Sequence, residues 1–240
     1  MSLNKNIPSD TFQGTGKSAL KIGVLVSGSG TNLQSIIDAI ESKRLKAEIK
    51  IVLSDNPGAF ALERAKKHGI PYEVILKKDF PAREDFDAIL SARLVGHGVE
   101  LVVLAGFMRI ISKVMLEAFP MRIMNIHPSL LPSFPGLDVQ KKALEFGVKF
   151  SGCTVHFVDE GVDSGPIIIQ AVVPVNDGDT VEDLRKRILA EEHRIYPHAI
   201  RMFAEGRLRI SGRRVSVRDG EAATGAFENP PVNAFTDIMG

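Results

Sequence analysis

The 240-residue sequence contains one cysteine and no tryptophan, and it has no long apolar run. The single thiol, Cys153, excludes an internal disulfide and a cysteine-rich metal site, so we expect a small buried residue within a strand. No apolar stretch approaches the roughly 20 residues of a transmembrane helix. The opening residues, MSLNKNIPSDTFQG, lack the apolar centre of a secretory signal. These absences predict a cytoplasmic protein that has no membrane partner.

Neither sign of charge dominates, since 30 Lys and Arg stand against 29 Asp and Glu. A net charge of +1 provides no general attraction to nucleic acid, and we expect no such partner. His156, His193 and His198 show no recognisable metal spacing with carboxylates, so we expect acid–base chemistry without a metal. No feature of the sequence predicts an oligomeric state.

Short apolar runs alternate with amphipathic stretches over the first half of the chain. One predicted helix, 31–44, has apolar residues at the i, i+3, i+4, i+7 spacing, and another, 82–97, carries Phe86, Ile89 and Leu90 on one face. This rhythm predicts an α/β fold with a Rossmann-like open, mostly parallel sheet and helices on both faces. The predicted strands are 19–27, 49–54, 71–76, 99–106 and 122–126, and the other predicted helices are 57–68 and 113–119.

The pattern changes in the second half of the chain. Two strands, 149–158 and 166–175, are joined by a short glycine-containing loop, which predicts a hairpin added to the sheet. A helix over about 180–204 follows, with Val181, Leu184 and Ile188 on its apolar face. A small C-terminal β-hairpin then turns at Ser211-Gly212. We therefore expect a flexible N-terminal tail over 1–19, one domain over 20–208, and a short hairpin with a C-terminal tail over 209–240.

The first candidate site is SGSGTN, residues 27–32, after the first long strand. Gly28 and Gly30 allow a tight turn, and Thr31 and Asn32 open a helix whose free N–H groups favour a phosphate. A dinucleotide fingerprint requires a third glycine where Leu33 stands, so a cradle for a single phosphate fits better. A plain strand-to-helix turn is the alternative.

The second candidate is AGFMRII, residues 105–111, after the fourth predicted strand. Its apolar side chains could form a slot for a flat ring. The segment taken alone favours a different interpretation, a loop that packs its apolar residues into the core while Arg109 stays solvated.

The third candidate is MNIHPSLLPSFPG, residues 124–136, at the end of the fifth predicted strand. Period-two alternation places Asn125 and His127 on one side of the strand. An amide beside an imidazole suits a carbonyl oxygen that becomes negatively charged, and histidine can exchange a proton near neutral pH. A structural histidine remains the alternative, and the three following prolines would stiffen the loop.

A carboxylate to accompany this pair is available in DEGVDSGP, residues 159–166. Asp163 lies in a glycine-flanked loop, where it could orient His127 and favour its protonated form. Asp159, Glu160 and Asp163 could equally do no more than solvate a turn, and spacing alone does not decide between the two.

Taken together, these segments resemble the phosphoribosylglycinamide formyltransferases, folate-dependent enzymes of purine synthesis, from about Lys21 to Leu208. The SLLP segment is shared with other folate formyltransferases and hydrolases, whereas SGSGTN with EEHRIYP narrows the resemblance to the glycinamide ribonucleotide branch. The segments that carry it are VLVSGSGTNLQSIIDA, VVLAGFMRI, MNIHPSLLPSFPGLD, TVHFVDEGVDSGPII and EEHRIYPHAI.

The resemblance implies that the amine of glycinamide ribonucleotide attacks the formyl carbon of 10-formyltetrahydrofolate, the co-substrate. It implies a catalytic trio of Asn125, His127 and Asp163, in which Asn125 and His127 stabilise the oxyanion and Asp163 supports His127 and helps to move protons. It also implies binding roles for two further sets. The ribonucleotide set is Gly30, Thr31, Asn32 and Glu192, and the folate set is Arg83, Met108, Arg109, Ile110, Ile111, Asp159, Glu160, Gly161 and Val162.

Three positions differ from the residues that are common in the family. Ser133 and Phe134 replace a basic residue and a tyrosine, and Asp138 replaces a histidine. A hydrolase of 10-formyltetrahydrofolate and a formyltransferase acting on another amine are the related alternatives. We expect neither an extra nucleic-acid-binding domain after Leu208 nor a regulatory domain before the core. A silent Rossmann-like binding module would not require the three catalytic residues together.

Overall fold

The computed structural model describes residues 12–13 and 18–220, whose strands join into one ten-stranded sheet. The strands are β1 Phe12–Gln13, β2 Leu20–Val26, β3 Ala47–Ser54, β4 Tyr72–Val74, β5 Leu101–Leu104, β6 Ile123–His127, β7 Phe150–Phe157, β8 Ile167–Pro174, β9 Leu208–Ser211 and β10 Arg214–Val217. Their order across the sheet is β1-β9-β10-β8-β7-β6-β5-β2-β3-β4. The helices are α1 Thr31–Glu41, α2 Phe60–Lys67, α3 Arg83–Gly96, α4 Lys113–Ala118, α5 Val139–Phe146 and α6 Val181–Ala204.

Strands β2 to β6 run parallel, and their order reverses between β2 and β5. The chain passes outward from β2 through β3 to β4, then returns to the other side of β2 to form β5 and β6. A crevice opens beyond the carboxyl ends of the strands at such a reversal. Segments 27–32 and 105–111 start at these two strand ends, so the topology brings them to one place.

Successive residues of β5 pack on opposite faces of the sheet, as the period of two requires. Leu101 and Val103 belong to the apolar cluster that includes residues of α1, α2 and α6, whereas Val102 and Leu104 belong to the cluster that includes residues of α3 and α4. Helices therefore cover both faces, and the predicted Rossmann-like fold class is confirmed. Cys153 is buried in β7, as expected, and burial raises the pKa of its thiol to about 12.

The second half of the sheet is mixed, because β7 and β8 are antiparallel to their neighbours β6 and β7, whereas β10 is parallel to β8. The predicted C-terminal hairpin of β9 and β10 is present, with Gly212 at a φ of 57° in its turn. Strand β1 pairs with the edge of β9, inside the segment predicted as a tail, because that edge offers unpaired backbone groups. The rest of the predicted tails, 1–11, 14–17 and 221–240, lies outside the described residues.

Three local features of the structure differ from the sequence predictions. Helix α5, which the sequence interpretation missed, begins directly after Asp138, whose φ of 56° is left-handed, and the preceding prolines hide its start. On α3, Ile89 is exposed, whereas Leu94 is buried in the same apolar cluster as Phe86. On α6, Val181 is exposed, whereas Leu184 and Ile188 are buried as predicted. Helix ends and faces depend on the neighbouring elements, which a single-helix pattern does not include.

Helix α6 is anchored to two central strands, β5 and β6, through Tyr196. The fully buried phenol oxygen lies 2.9 Å from the carbonyl oxygen of Leu104 and 3.0 Å from that of Met124, so its proton can be donated to either. This contact positions the preceding turn of α6 near the crevice. None of the helices within 18–220 is long and apolar enough to cross a membrane.

Candidate active site

The turn SGSGTN lies at the crevice, and Gly30 is the residue just before α1. Gly30 has a φ of 69°, and a Cβ there would lie 2.6 Å from the Cβ of Ala61. A side chain would therefore be strained and would also clash with α2. The first turn of α1 contains no acidic residue, so its free N–H groups and the helix dipole favour an anion.

A cavity of about 410 Å³ extends from this turn to the strand tip at β6. Its wall combines the turn, the segment after β5, the end of β6, α5 and α6, so five separate parts of the chain meet there. The lining residues are Gly28, Ser29, Gly30, Thr31, Asn32, Ala105, Gly106, Met108, Ile126, Pro128, Gln140, Arg185, Leu189 and Glu192.

Asn32 and Glu192 join α1 to α6 at the cavity wall. Both side chains are buried, and the amide Nδ2 of Asn32 donates to Oε2 of Glu192 at 2.8 Å. Burial raises the pKa of Glu192, against the hydrogen bond from Asn32 and the charge of Arg185, which lower it. The buried Oδ1 of Asn32 has no hydrogen-bond partner in the described chain.

His127 lies at the end of β6 with both ring nitrogens near acceptors. Its Nε2 is 2.9 Å from the carbonyl oxygen of Phe134, and its Nδ1 is 3.3 Å from Oδ2 of Asp163. A carbonyl can only accept, so Nε2 carries a proton, and Nδ1 also carries one when the ring is an imidazolium. The sequence-predicted pair of His127 and Asp163 therefore comes together in the structure.

Asp163 connects the loop between β7 and β8 to the proline-rich loop after β6. It has a left-handed φ of 50°, and its Oδ2 accepts a hydrogen bond from the backbone N–H of Gly136 at 2.8 Å. Within its own loop, Oδ1 of Asp159 accepts from the hydroxyl of Ser164 at 2.6 Å. These contacts give the carboxylate of Asp163 a defined position beside His127.

Asn125 faces a residue that the sequence interpretation did not assign to the site, His156 on β7. The two are register partners, and Nδ2 of Asn125 lies 3.2 Å from Nε2 of His156. Nδ1 of His156 lies 2.9 Å from the carbonyl oxygen of Phe157, to which it must donate. In the neutral ring Nε2 therefore accepts from Asn125, and burial favours this form because it lowers the pKa of His156.

The proline-rich loop contributes backbone groups where its sequence departs from the family that it resembles. Phe134 contacts His127 through its backbone carbonyl. Its ring packs edge-on against Phe146 of α5, with 5.9 Å between the ring centroids. Ser133 likewise contributes a carbonyl, which accepts from the hydroxyl of Ser129 at 2.6 Å. The contact to His127 therefore uses a backbone group and not the side chain of Ser133 or Phe134.

The predicted folate residues do not form one continuous surface of similar side chains. Met108 and Ile110 are exposed, whereas Ile111 is buried in the apolar cluster that includes residues of α3 and α4. Arg109 forms an ion pair with the largely buried carboxylate of Asp55.

Two other parts of the predicted folate set lie elsewhere. Arg83 is the exposed first residue of α3, with its Nη2 3.6 Å from Glu84. Glu160, Gly161 and Val162 are exposed in the loop that carries Asp163. Of the folate set, Met108 lines the cavity of about 410 Å³.

Sequence reasoning did not assign three residues that lie at the site: His156, Gln140 and Arg185. His156 reaches Asn125 through strand register, and Gln140 belongs to the unpredicted helix α5. Arg185 lines the cavity from α6. Its spacing of seven residues from Glu192 is the sequence pattern that could have predicted a position on the same helix face. Among the described residues, no group of three or more His, Cys, Asp or Glu side chains could hold a metal ion.

Comparisons with known proteins support the resemblance that the motifs predict. A family model described as formyl transferase matches residues 20–200. The phosphoribosylglycinamide formyltransferase of Escherichia coli (strain K12) is 44% identical over 191 residues, which cover 80% of this chain and 90% of that protein. The crystal structure of glycinamide ribonucleotide transformylase 1 from Symbiobacterium toebii has a TM-score of 0.82 and 60% identity, covering 83% of this chain and 94% of that one.

Longer relatives contain a matching segment. The trifunctional purine biosynthetic protein adenosine-3 of Chironomus tentans is 49% identical over 195 residues, which are 80% of this chain. The match spans 14% of the length of that relative.

Proposed function

The chain belongs to the formyl transferase family, and we propose that it transfers the formyl group of 10-formyltetrahydrofolate to the amine of glycinamide ribonucleotide in de novo purine biosynthesis. The match to a bacterial phosphoribosylglycinamide formyltransferase, of which it covers 90%, supports this activity. The observation that carries the chemistry is the 3.3 Å approach of Asp163 to His127, on the strand that also bears Asn125.

The reaction forms one bond to the formyl carbon and then breaks another. The amine nitrogen attacks the carbon, and the carbonyl electron pair moves onto oxygen to give a tetrahedral oxyanion. When the carbonyl re-forms, the bond from carbon to the folate nitrogen breaks and tetrahydrofolate leaves. The attacking nitrogen loses one proton and the folate nitrogen gains one, so the site must stabilise the oxyanion and move a proton.

Asn125 supplies an oriented donor for the oxyanion. An amide has two N–H groups, and His156 accepts one of them, which fixes the nitrogen rather than the oxygen of the side chain toward β7. The second N–H is available to the formyl oxygen. This pre-orientation lowers the reorganisation that the reaction requires.

His127 supplies the second donor through Nδ1, because Nε2 already donates to the carbonyl of Phe134. Its 3.3 Å separation from Asp163 exceeds the roughly 2.7–2.9 Å of a strong charged hydrogen bond, so the Nδ1 proton can be shared with a substrate oxygen. Asp163 stabilises the protonated ring and accepts the proton from the attacking amine, directly or through water.

The remaining predicted residues would hold the two substrates. Gly30, Thr31 and Asn32 would bind the phosphate through the turn and the start of α1, and Glu192 would contact the same substrate. Exposed Met108 and Ile110 would offer apolar surface to the folate ring, whereas buried Ile111 would act through its backbone. The other proposed folate contacts are Arg83, Arg109, Asp159, Glu160, Gly161 and Val162.

The cellular setting is also a proposal. We expect a cytoplasmic enzyme that acts on these two small molecules without a metal and without nucleic-acid or membrane partners.

Release of tetrahydrofolate, followed by absorbance with and without glycinamide ribonucleotide, tests the function. We expect release only with the ribonucleotide, and mass spectrometry should identify the formylated product. Equal release without the ribonucleotide would instead identify a hydrolase, and no release under either condition would refute formyl transfer. The variant Lys186→Gln, altered on the exposed surface of α6, serves as a control for handling and folding.

A further inference from the structure

The cavity wall carries two ionisable side chains, Arg185 and Glu192, among the lining residues. Both belong to α6, and Leu189 lies between them at spacings of four and three residues. Residues so spaced lie on one helix face, so this face is turned toward the cavity. The two side chains differ in burial. Glu192 is buried and hydrogen-bonded to Asn32, whereas Arg185 is exposed.

Arg185 has a weak partner that a ligand could replace. Its Nη1 lies 3.4 Å from Oε2 of Glu182, and the two side chains are 62% and 56% exposed. Exposed ion pairs of this kind contribute little to stability because water screens them. The guanidinium can therefore leave Glu182 for a better anion at small cost, and it already lines the cavity.

The proposed substrate requires a cation at this wall. A phosphate monoester carries about 1.5 to 2 negative charges near neutral pH, and the helix start offers roughly half a positive charge. An ionised Glu192 would add a negative charge to the same cavity. Arg185 is the one cationic residue among those that line the cavity. A guanidinium can bind two phosphate oxygens through bidentate hydrogen bonds.

We propose that Arg185 binds the phosphate of the ribonucleotide opposite the Gly30 turn and so selects the phosphorylated substrate. The inference rests on the proposed function, and it assigns a specificity role to a residue outside the predicted binding set. Thr31 and Asn32 hold the phosphate from the start of α1, and Arg185 closes on it from α6.

The test compares Arg185→Gln with the wild-type enzyme and with the matched control Lys186→Gln, an exposed neighbour on α6 that does not line the cavity. We expect Arg185→Gln to raise the KM for glycinamide ribonucleotide roughly tenfold or more, the size typical of a hydrogen bond to a charged group, with little change in kcat. Arg185→Lys should recover part of this loss, and Lys186→Gln should behave like the wild type.

A second substrate separates phosphate binding from a structural effect. Glycinamide riboside lacks the phosphate, so Arg185→Gln should leave kcat/KM for the riboside nearly unchanged. The ratio of kcat/KM for the ribonucleotide to that for the riboside should therefore fall. Equal losses for both substrates, or an unchanged KM for the ribonucleotide, would overturn the role of Arg185.

Calorimetric titration with the ribonucleotide distinguishes the two proposals from each other. If the wild type and Arg185→Gln bind it equally, the role of Arg185 fails while the proposed function stands. If the wild type neither binds nor formylates the ribonucleotide, the proposed function fails and the inference fails with it.

Discussion

Asn125 and His156 lie opposite each other on β6 and β7, with the amide nitrogen 3.2 Å from the imidazole Nε2. Because Nδ1 of His156 donates to the carbonyl of Phe157, the ring presents an acceptor that only the NH₂ group of Asn125 can satisfy. His156 thus determines which way the amide of Asn125 is turned, and so where its donor group lies in the proposed chemistry.

Removal of this acceptor should reduce turnover more than substrate binding. We expect His156→Leu to lower kcat about tenfold or more, since a misdirected amide no longer stabilises the oxyanion. His156→Gln can present a carbonyl acceptor and should retain more activity. Steady-state kinetics at saturating substrates measure the difference, and circular dichroism reports whether both variants fold. Equal kcat in the two variants would contradict the orienting role.

Loss of the proposed acid–base pair should be more severe. His127→Ala and Asp163→Ala should each lower kcat at least about 10²-fold, the low end for general acid–base catalysis, while the fold persists. Pre-steady-state measurement of the formyl-transfer step tests this directly. Turnover at the wild-type level in either variant would refute the assignment.

Gly30→Ala should impair both stability and ribonucleotide binding. The new Cβ would meet the Cβ of Ala61 at 2.6 Å, and the φ of 69° is strained for alanine, so we expect a loss of about 1–2 kcal/mol. Gly69→Ala is the matched control, because Gly69 has a similar φ of 65° with no atom within 4 Å of a new Cβ. Urea denaturation should show a larger loss at Gly30, and equal losses would argue against the contact with α2.

The two tyrosines of the chain provide a matched pair for stability. Tyr196→Phe removes the buried hydroxyl near the carbonyls of Leu104 and Met124, and should lower the free energy of unfolding by about 1–3 kcal/mol. Tyr72 is 45% exposed, so Tyr72→Phe should change the free energy of unfolding by less than about 0.5 kcal/mol. Denaturation followed by circular dichroism compares them, and a neutral Tyr196→Phe would contradict the anchoring of α6.

Stability should fall as the solution is acidified from pH 7.5 to pH 5.5. Burial lowers the pKa of His156 in the folded protein, against the hydrogen bond to Phe157 and the charge of Asp163, which raise it. The unfolded chain takes up this proton near its ordinary pKa of about 6.5, so the stability is present above that pH and is lost as the pH falls toward the folded pKa.

Urea denaturation at several pH values tests the assignment to His156. The non-ionising variant His156→Gln should lose less stability over the same interval than the wild type does. Each protein is compared with its own value at pH 7.5, which removes the constant effect of the substitution. Parallel curves for the two proteins would assign the pH dependence to other groups, such as His193 and His198, whose pKa values burial also lowers.

The features that the sequence by itself determined are local ones. Alternating apolar runs and amphipathic stretches predict the α/β sheet, because each element must bury one face. The period of two sets Asn125 and His127 on one side of β6, and the glycines of SGSGTN predict the tight turn before α1. All of these depend on residues close together in the chain.

Only the tertiary structure decided which distant residues meet. Strand register selects His156 as the partner of Asn125, and loop packing brings Asp163 to His127 and to the N–H of Gly136. The position of α6 over the sheet turns Arg185 toward the cavity beside Gly30. The physical reason is that register, loop path and helix position follow from the packing of the whole core, whereas periodicity specifies only the face of a single element.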